Sequence, residues 1–313
     1  MAAMKVSLIV TVKDAESTIG AFLDSVASQS RKPDEVIVAD LGSADRTRAL
    51  VESHPLGARL ETVQGNNAEG LNRAISLASG EVMAVSAADC VLDHDWLEMI
   101  SGLQGADIVA GACSPMIESL FDACQYSVRV FSRPGSKGGG VELSNRSLAF
   151  RKVVWEELGG FPEWLDASED SWFHDMMRQS RFIIRQEPRA VANWRMKPGL
   201  KNIYLDFHAS TQGDGRALQR TKSHMARLIG YAAGVEMLLM SFWRAGWLLA
   251  LALGFGAYLW QPVRVFRRLG AYPLTARAVA EMARILVVSD AGKILGYLAG
   301  LKNAHEAPPV KPR

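Results

Sequence analysis

The chain of 313 residues has only three cysteines, Cys90, Cys113 and Cys124. They are too few and too irregularly spaced for a disulfide framework or a cysteine metal cage, and they suit a reducing compartment. Neither charge dominates: 35 Lys and Arg against 33 Asp and Glu leave +2. That balance gives no ground for a nucleic-acid partner, which calls for strong, clustered positive charge. The N-terminus carries one lysine and then the run Val6–Val12, too short for a signal-peptide core and without a small-residue cleavage site. The chain is therefore expected to start and fold in the cytoplasm. The stretch Ser132-Arg-Pro-Gly-Ser-Lys-Gly-Gly-Gly140 reads as a flexible glycine-rich loop. It lacks the order G-x-x-x-x-G-K-[ST], which excludes a phosphate loop there.

What is present is ordinary globular composition, 49% hydrophobic and 22% charged, with length enough for one large core or two units. The first half alternates short apolar runs with helical stripes. Strands are expected at 6–12, 35–40, 59–63 and 81–86, with helices at 17–28, 47–53 and 68–78. Gly80 closes the last of these helices. That alternation predicts an α/β fold with a mostly parallel sheet flanked by helices. Ligands of such sheets sit at the carboxyl ends of the strands, where Thr11 to Asp14, Asp40 to Asp45 and Asp89 all fall. Farther on, 153–159 is expected to be a short helix. Ser168-Glu-Asp-Ser171 reads as the start of another that runs to about 181, and 182–184 as a strand.

Composition changes near Gly215. Residues 228–260 are strongly apolar, interrupted by Glu236 and Arg244, and the run 245–260 has 16 residues, short of the roughly 20 that a spanning helix needs. Arg216, Arg220, Lys222 and Arg227 precede the apolar stretch, and Arg264, Arg267 and Arg268 follow it. Trp243, Trp247, Tyr258 and Trp260 are suited to a membrane interface. A buried helical hairpin would give the same composition. The coincidence of basic flanks and interfacial aromatics favours a helical, membrane-associated region over 216–313, after a first domain over 1–215. Residues 276–301 read as a further helix.

Asp40 ends its strand where a carboxylate can accept from a base or a ribose, with Gly42 allowing a tight turn. Asp45 reads as a helix cap, Asp93 as a turn residue and Asp95 as a cap before Trp96. Asp89 suits Mg²⁺ or Mn²⁺, hard cations that take oxygen ligands and keep phosphate partners. Asp170 alone could be no more than a first-turn acid.

The ordered motifs together resemble glycosyltransferase family 2. Ser7-Leu-Ile-Val-Thr-Val-Lys-Asp14 is similar to its opening strand, and Val36-Ile-Val-Ala-Asp40-Leu-Gly-Ser-Ala-Asp45-Arg-Thr47 to its V-V-D-x-G-S-x-D-x-T signature. Leu71-Asn-Arg-Ala-Ile75 with Ala78-Ser-Gly-Glu81 resembles the approach to the metal strand, and Ser86-Ala-Ala-Asp-Cys90 falls on its D-x-D. Leu148-Ala-Phe-Arg151, Leu158-Gly-Gly-Phe161 and Ser168-Glu-Asp170 fall on the acceptor-side signature. Trp194-Arg195 and Gly213-Asp-Gly-Arg216 resemble a later motif of membrane-associated members. The resemblance spans about residues 4–216.

It implies a GT-A (Rossmann-like) fold and an inverting transfer of sugar from a nucleotide-diphosphate donor to a lipid-linked or saccharide acceptor, at the cytoplasmic face of the cell membrane. Thr11, Asp14, Asp40, Asn72, Asp89, Trp194 and Arg195 would bind the nucleotide, Asp89 with a divalent cation. Asp170 would be the base and Glu169 its supporting acid. Ala87, in place of the first acid of D-x-D, departs from the pattern. Two other readings stand beside this one: a catalytically weak scaffold of the same fold, and a nucleotidyltransferase, although the basic glycine-rich activation loop of the latter is absent. Sugar, base, acceptor and linkage are left open, since specificity belongs to loops, notably 120–143.

Overall fold

The computed structural model describes residues 4–132 and 142–304, in two compact units. The first comprises residues up to 116 together with 142–196. Its strands are β1 (Val6–Val12), β2 (Glu35–Asp40), β3 (Arg59–Thr62), β4 (Val82–Val85), β5 (Cys90–Leu92), β6 (Ile108–Met116), β7 (Leu148–Arg151) and β8 (Ile184–Arg195). Between them run α1 (Ile19–Ala27), α2 (Thr47–Ser53), α3 (Asn67–Leu77), α4 (Trp96–Ser101), α6 (Lys152–Leu158) and α7 (Glu169–Gln179), while α5 (Leu120–Ser132) belongs to the second unit.

The eight strands form one sheet in the order β3-β2-β1-β4-β7-β6-β8-β5. The expected parallel half is there: β2 and β4 flank β1, and β3 adds outside β2, all parallel. The other half is mixed, because β7 runs antiparallel to β4 and β6, and β5 antiparallel to β8. Strand β8 is far longer than the expected 182–184. Its pairing with β6 jumps from Gly111↔Glu187 to Ala112↔Val191, so that Pro188, which cannot donate to a ladder, falls in the irregular stretch. The strands are β-branched and apolar because both faces are covered. Alternate residues such as Ile9, Ile37, Met83 and Phe150 share a core with Leu71, Ile75, Phe161 and Phe173 of α3, α7 and the loop before α7. Phe161 and Phe173 pack ring to ring at 4.2 Å.

The second unit, residues 117–132 and 197–304, is helical: α5, α8 (Leu200–Arg216), α9 (Thr221–Met240), α10 (Gly246–Leu269) and α11 (Ala276–Leu301). Its core joins Cys124, Val128, Ile203, Phe266, Met282 and Leu286. Helices α8 and α11 touch backbone to backbone along Gly292, Gly296 and Gly300. A Cβ on Gly296 would meet the His208 carbonyl oxygen at 2.2 Å, and one on Gly300 the Gln212 oxygen at 2.1 Å. This seam explains why the division lies near 197 and not near 215: α8 is half of a helix pair. Within the bundle, buried Asp290 meets Lys293 Nζ at 3.0 Å, Arg227 Nε at 3.2 Å and the hydroxyls of Tyr258 and Tyr231 at 2.6 and 3.1 Å.

The apolar stretch 228–260 is two helices joined by a turn at 241–245, with Gly234 of α9 facing Leu251 of α10. The turn places Glu236 on α9 and Arg244 between the two helices. Helix α10 alone, among the described residues, is long and apolar enough to cross a membrane. The glycine-rich stretch 133–140 lies outside the described residues, while much of the expected 120–143 loop is helix α5.

Candidate active site

The site is built at the carboxyl ends of β1, β2 and β4. Thr11 and Asp14 follow from β1 and Asp40 closes β2. Asp40 is fully buried, and its carboxylate accepts from the Ser43 amide at 3.2 and 3.3 Å, with Arg48 Nε at 4.0 Å. The carboxylate thus shapes its own turn, which Gly42 completes at φ +79°. Asp14, itself at φ +48°, ties the two loops together: its amide donates to Ser43 Oγ at 2.9 Å and its carboxylate accepts from the Ala44 amide at 2.8 Å. Thr11 Oγ1 donates to Asn67 Oδ1 at 2.5 Å.

Asn67, at the start of α3, then reaches in the other direction. Its amide donates to Glu169 Oε1 at 2.6 Å. The relay Thr11–Asn67–Glu169 brings the start of α7 to the end of β1. Ser168 precedes α7 in the left-handed region, φ +64°, a conformation that costs a serine energy and persists where the surroundings over-determine it. Glu169 is buried, and burial, followed by the adjacent Asp170 charge, pushes its carboxyl up to about 7. Asp170 is partly open to solvent and accepts from the Ser171 amide at 2.6 Å. Trp164 and Trp172 stand as a T-shaped pair, 5.4 Å apart, beside it in sequence.

Asp89 lies beyond the end of β4, the strand next to β1. Both of its oxygens face Arg146: Nη2 to Oδ2 at 2.8 Å and Nε to Oδ1 at 3.3 Å. The guanidinium lies over the Trp194 ring, 4.8 Å from its centre. The Arg195 amide donates to the Asp89 carbonyl at 2.8 Å. Trp194 and Arg195 therefore do meet Asp89, Trp194 through Arg146 and Arg195 through its backbone.

Asn72 is engaged within the protein. Its Nδ2 donates to the Phe161 carbonyl and Glu163 Oε1, and its Oδ1 accepts from the Phe161 amide and Trp155 Nε1, all at 2.9 Å. Its hydrogen-bonding positions pin the Gly159–Gly160 turn to α3. Asp45 stands one residue before the N-cap of α2, which is Arg46, and accepts from the Thr47 amide at 2.9 Å. Asp95 stands at the start of α4 without a side-chain cap bond, and Asp93 accepts from Asn193 at 2.7 Å. The Gly213–Arg216 motif ends α8 inside the helical unit, where Asp214 pairs with Arg220 at 3.0 Å and His224 at 3.1 Å.

Two residues of the site escape sequence reading. Asn67 follows Asn66, whose side chain and that of Glu69 form a capping box. Two asparagines where one suffices to cap is the available signal. Arg146 is a charge standing just before the apolar strand β7. As for a metal, no three His, Cys, Asp or Glu side chains gather among the described residues, and Ala87 offers no second carboxylate. Magnesium-type ions bind through one or two carboxylates completed by substrate phosphates, and Asp89 fits that minimal arrangement.

Residues 7–117 match the family model described as Glycosyl transferase family 2. The O-antigen chain rhamnosyltransferase RfbN of Salmonella typhimurium is 26% identical over 212 residues, which span 60% of this chain and 65% of that protein. Among solved structures, the mannosyltransferase PcManGT of Pyrobaculum calidifontis, in complex with GDP-Man and Mn²⁺, aligns over 93% of this chain and 87% of its own with a TM-score of 0.53 and 19% identity. At that identity the likeness is one of fold.

Proposed function

We propose that this chain, whose residues 7–117 match the glycosyl transferase family 2 model, moves a sugar from a nucleotide-diphosphate donor to an acceptor hydroxyl with inversion, in the synthesis of a cell-envelope polysaccharide or glycolipid. The observation that carries this reading is Asp40 and Asp89 at the ends of the strands that flank β1, with the helix start that bears Glu169 and Asp170 tied to Thr11 of β1 through Asn67. Asp40, Thr11 and Asp14 frame the nucleotide. Asp89, with the donor's diphosphate, would hold Mg²⁺ or Mn²⁺, which supplies charge stabilisation to the leaving group. Asp170 takes the proton from the acceptor hydroxyl as its oxygen attacks the anomeric carbon. The bond from that carbon to the diphosphate breaks, and the nucleoside diphosphate departs with the electron pair. Glu169, whose carboxyl is raised by burial and then by the neighbouring Asp170 charge, supports Asp170 from the start of the same helix.

Residues 228–260 act as a membrane-embedded hairpin at the cytoplasmic face, where a lipid-linked acceptor is found. What supports this is apolar exposure at the hairpin: Phe242 is 83% exposed, Trp243 79%, Leu253 66% and Leu249 64%. Monomeric soluble surfaces rarely carry such a contiguous patch. Arg227, Arg264, Arg267 and Arg268 flank it on the side that the positive-inside preference assigns to the cytoplasm.

The test is transfer and donor hydrolysis with a panel of nucleotide sugars and Mn²⁺, run beside Asp170→Asn. The variant should keep donor binding and lose turnover by about 10²-fold or more, as general-base effects run. Unchanged turnover removes Asp170 from the mechanism. Absence of any hydrolysis or transfer by the wild type favours the scaffold reading, to which Ala87 lends weight.

A further inference from the structure

Arg146 belongs to no motif that carries the glycosyltransferase reading, yet it holds the central carboxylate of the site. Four observations bear on it. The first is position: Leu148 pairs with Val85 across β7 and β4, so Arg146 stands beside the carboxyl end of β4, at the sheet edge where ligands of parallel strands sit. The second is rigidity. Its carbonyl accepts from Ser86 Oγ at 2.8 Å, the preceding Asn145 meets His174 Nε2 at 2.9 Å, and the following Ser147 accepts from Trp96 Nε1 at 2.8 Å. The third is access: the side chains of Arg146 and Asp89 are 32% and 27% exposed, so an anion can approach the pair. The fourth is valence. Two of the five N–H groups of the guanidinium go to Asp89, and its planar fork suits phosphate oxygens as well as carboxylate.

Ala87 stands where a second acid would help Asp89 neutralise a divalent ion. With a guanidinium against Asp89 instead, a positive charge is already resident at the diphosphate position. We propose that Arg146 is a built-in cation of the donor-diphosphate subsite. It binds the diphosphate in part without metal, and it competes with a divalent ion for Asp89. The inference rests on the nucleotide-sugar reading above and assigns a residue to it.

The test is calorimetric binding of UDP, GDP and dTDP, and of inorganic pyrophosphate as a base-independent probe, to the full chain in EDTA and in Mn²⁺. Manganese uptake is followed separately by electron paramagnetic resonance. Wild type should bind a nucleotide in EDTA. Arg146→Gln should weaken that binding about ten- to hundredfold, the size of a lost charge-assisted contact, while Asp89 takes up Mn²⁺ more tightly. Arg146→Lys, which keeps the charge and loses the fork, should retain part of the EDTA binding and guards against a merely misfolded Gln variant. If wild type and Arg146→Gln bind equally in EDTA, or both bind only with Mn²⁺ at equal affinity, the inference is overturned while the donor reading stands. If wild type binds none of the nucleotides under either condition, the donor reading falls and the inference with it.

Discussion

Glu169→Gln is the substitution whose outcome the structure constrains most. Glu169 is 7% exposed, and its carboxyl is raised from 4.5 to about 7, chiefly by burial. In the folded chain it therefore holds a proton over a range where the unfolded chain has lost it. The folded state binds more protons between about pH 4.5 and 7, so stability falls as pH rises through that window and is flat above it. A shift of this size corresponds to an order-of-magnitude loss of about 3 kcal/mol by pH 8. Glutamine keeps the shape, still accepts from Asn67 Nδ2 through its side-chain oxygen, and never ionises. The variant should thus be more stable than wild type at pH 8 by up to about 3 kcal/mol, with most of the difference gone by pH 5. Urea unfolding of both proteins at the two pH values, followed by tryptophan fluorescence, measures this. A variant that is less stable at pH 8, or equally shifted at both pH values, would refute the assignment of Glu169 as a buried, largely neutral acid.

Asp40→Ala should weaken nucleotide binding in calorimetry with or without metal, because it removes both the proposed nucleotide contact and the acceptor that holds the Ser43 amide. Gly296→Leu should destabilise the helical unit by several kcal/mol in thermal unfolding, since the side chain would meet the His208 carbonyl; a change under about 0.5 kcal/mol would deny the close helix seam. Full-length protein should resist carbonate extraction. Replacing Phe242, Trp243, Leu249 and Leu253 by serine should release it, each change forfeiting about 2 kcal/mol of apolar burial. Wild type that is soluble and monodisperse without detergent sinks the membrane reading.

The parallel half of the sheet was legible because β1, β2 and β4 are short apolar runs and β1, β2 and β3 are each followed by a helix, so local pattern and pairing agree. The β6–β8 half was not. Strand β6 contains Gly111 and Pro115, β8 contains Pro188, and β7 has only four residues. These segments are strands because of their partners, and the partners lie dozens of residues away. The division near 197 and the composition shift near 215 differ for a related reason. The composition shift near 215 marks where apolar residues begin, whereas the unit begins where α8 docks on the glycine row of α11.

The same distinction sorts the site. The placement of Asp40, Asp89 and Asp170 at the ends of elements was legible because each stands inside an ordered motif. The four bonds of Asn72 were not legible, because they go to α6 and the loop after it, 83 to 91 positions later. Arg146 escaped because nothing near it in sequence hints at Asp89, 57 residues before it. Yet Ala87 was visible as a defect in the acid pair, and a lone carboxylate at a diphosphate position raises the question of where compensating charge comes from. A carboxylate meant for a metal with fewer oxygen ligands either binds that metal weakly or acquires a fixed cation. The Arg146–Asp89 pair is the second solution, and it ties the missing acid at 87 to a basic residue that sequence pattern alone could not connect to it.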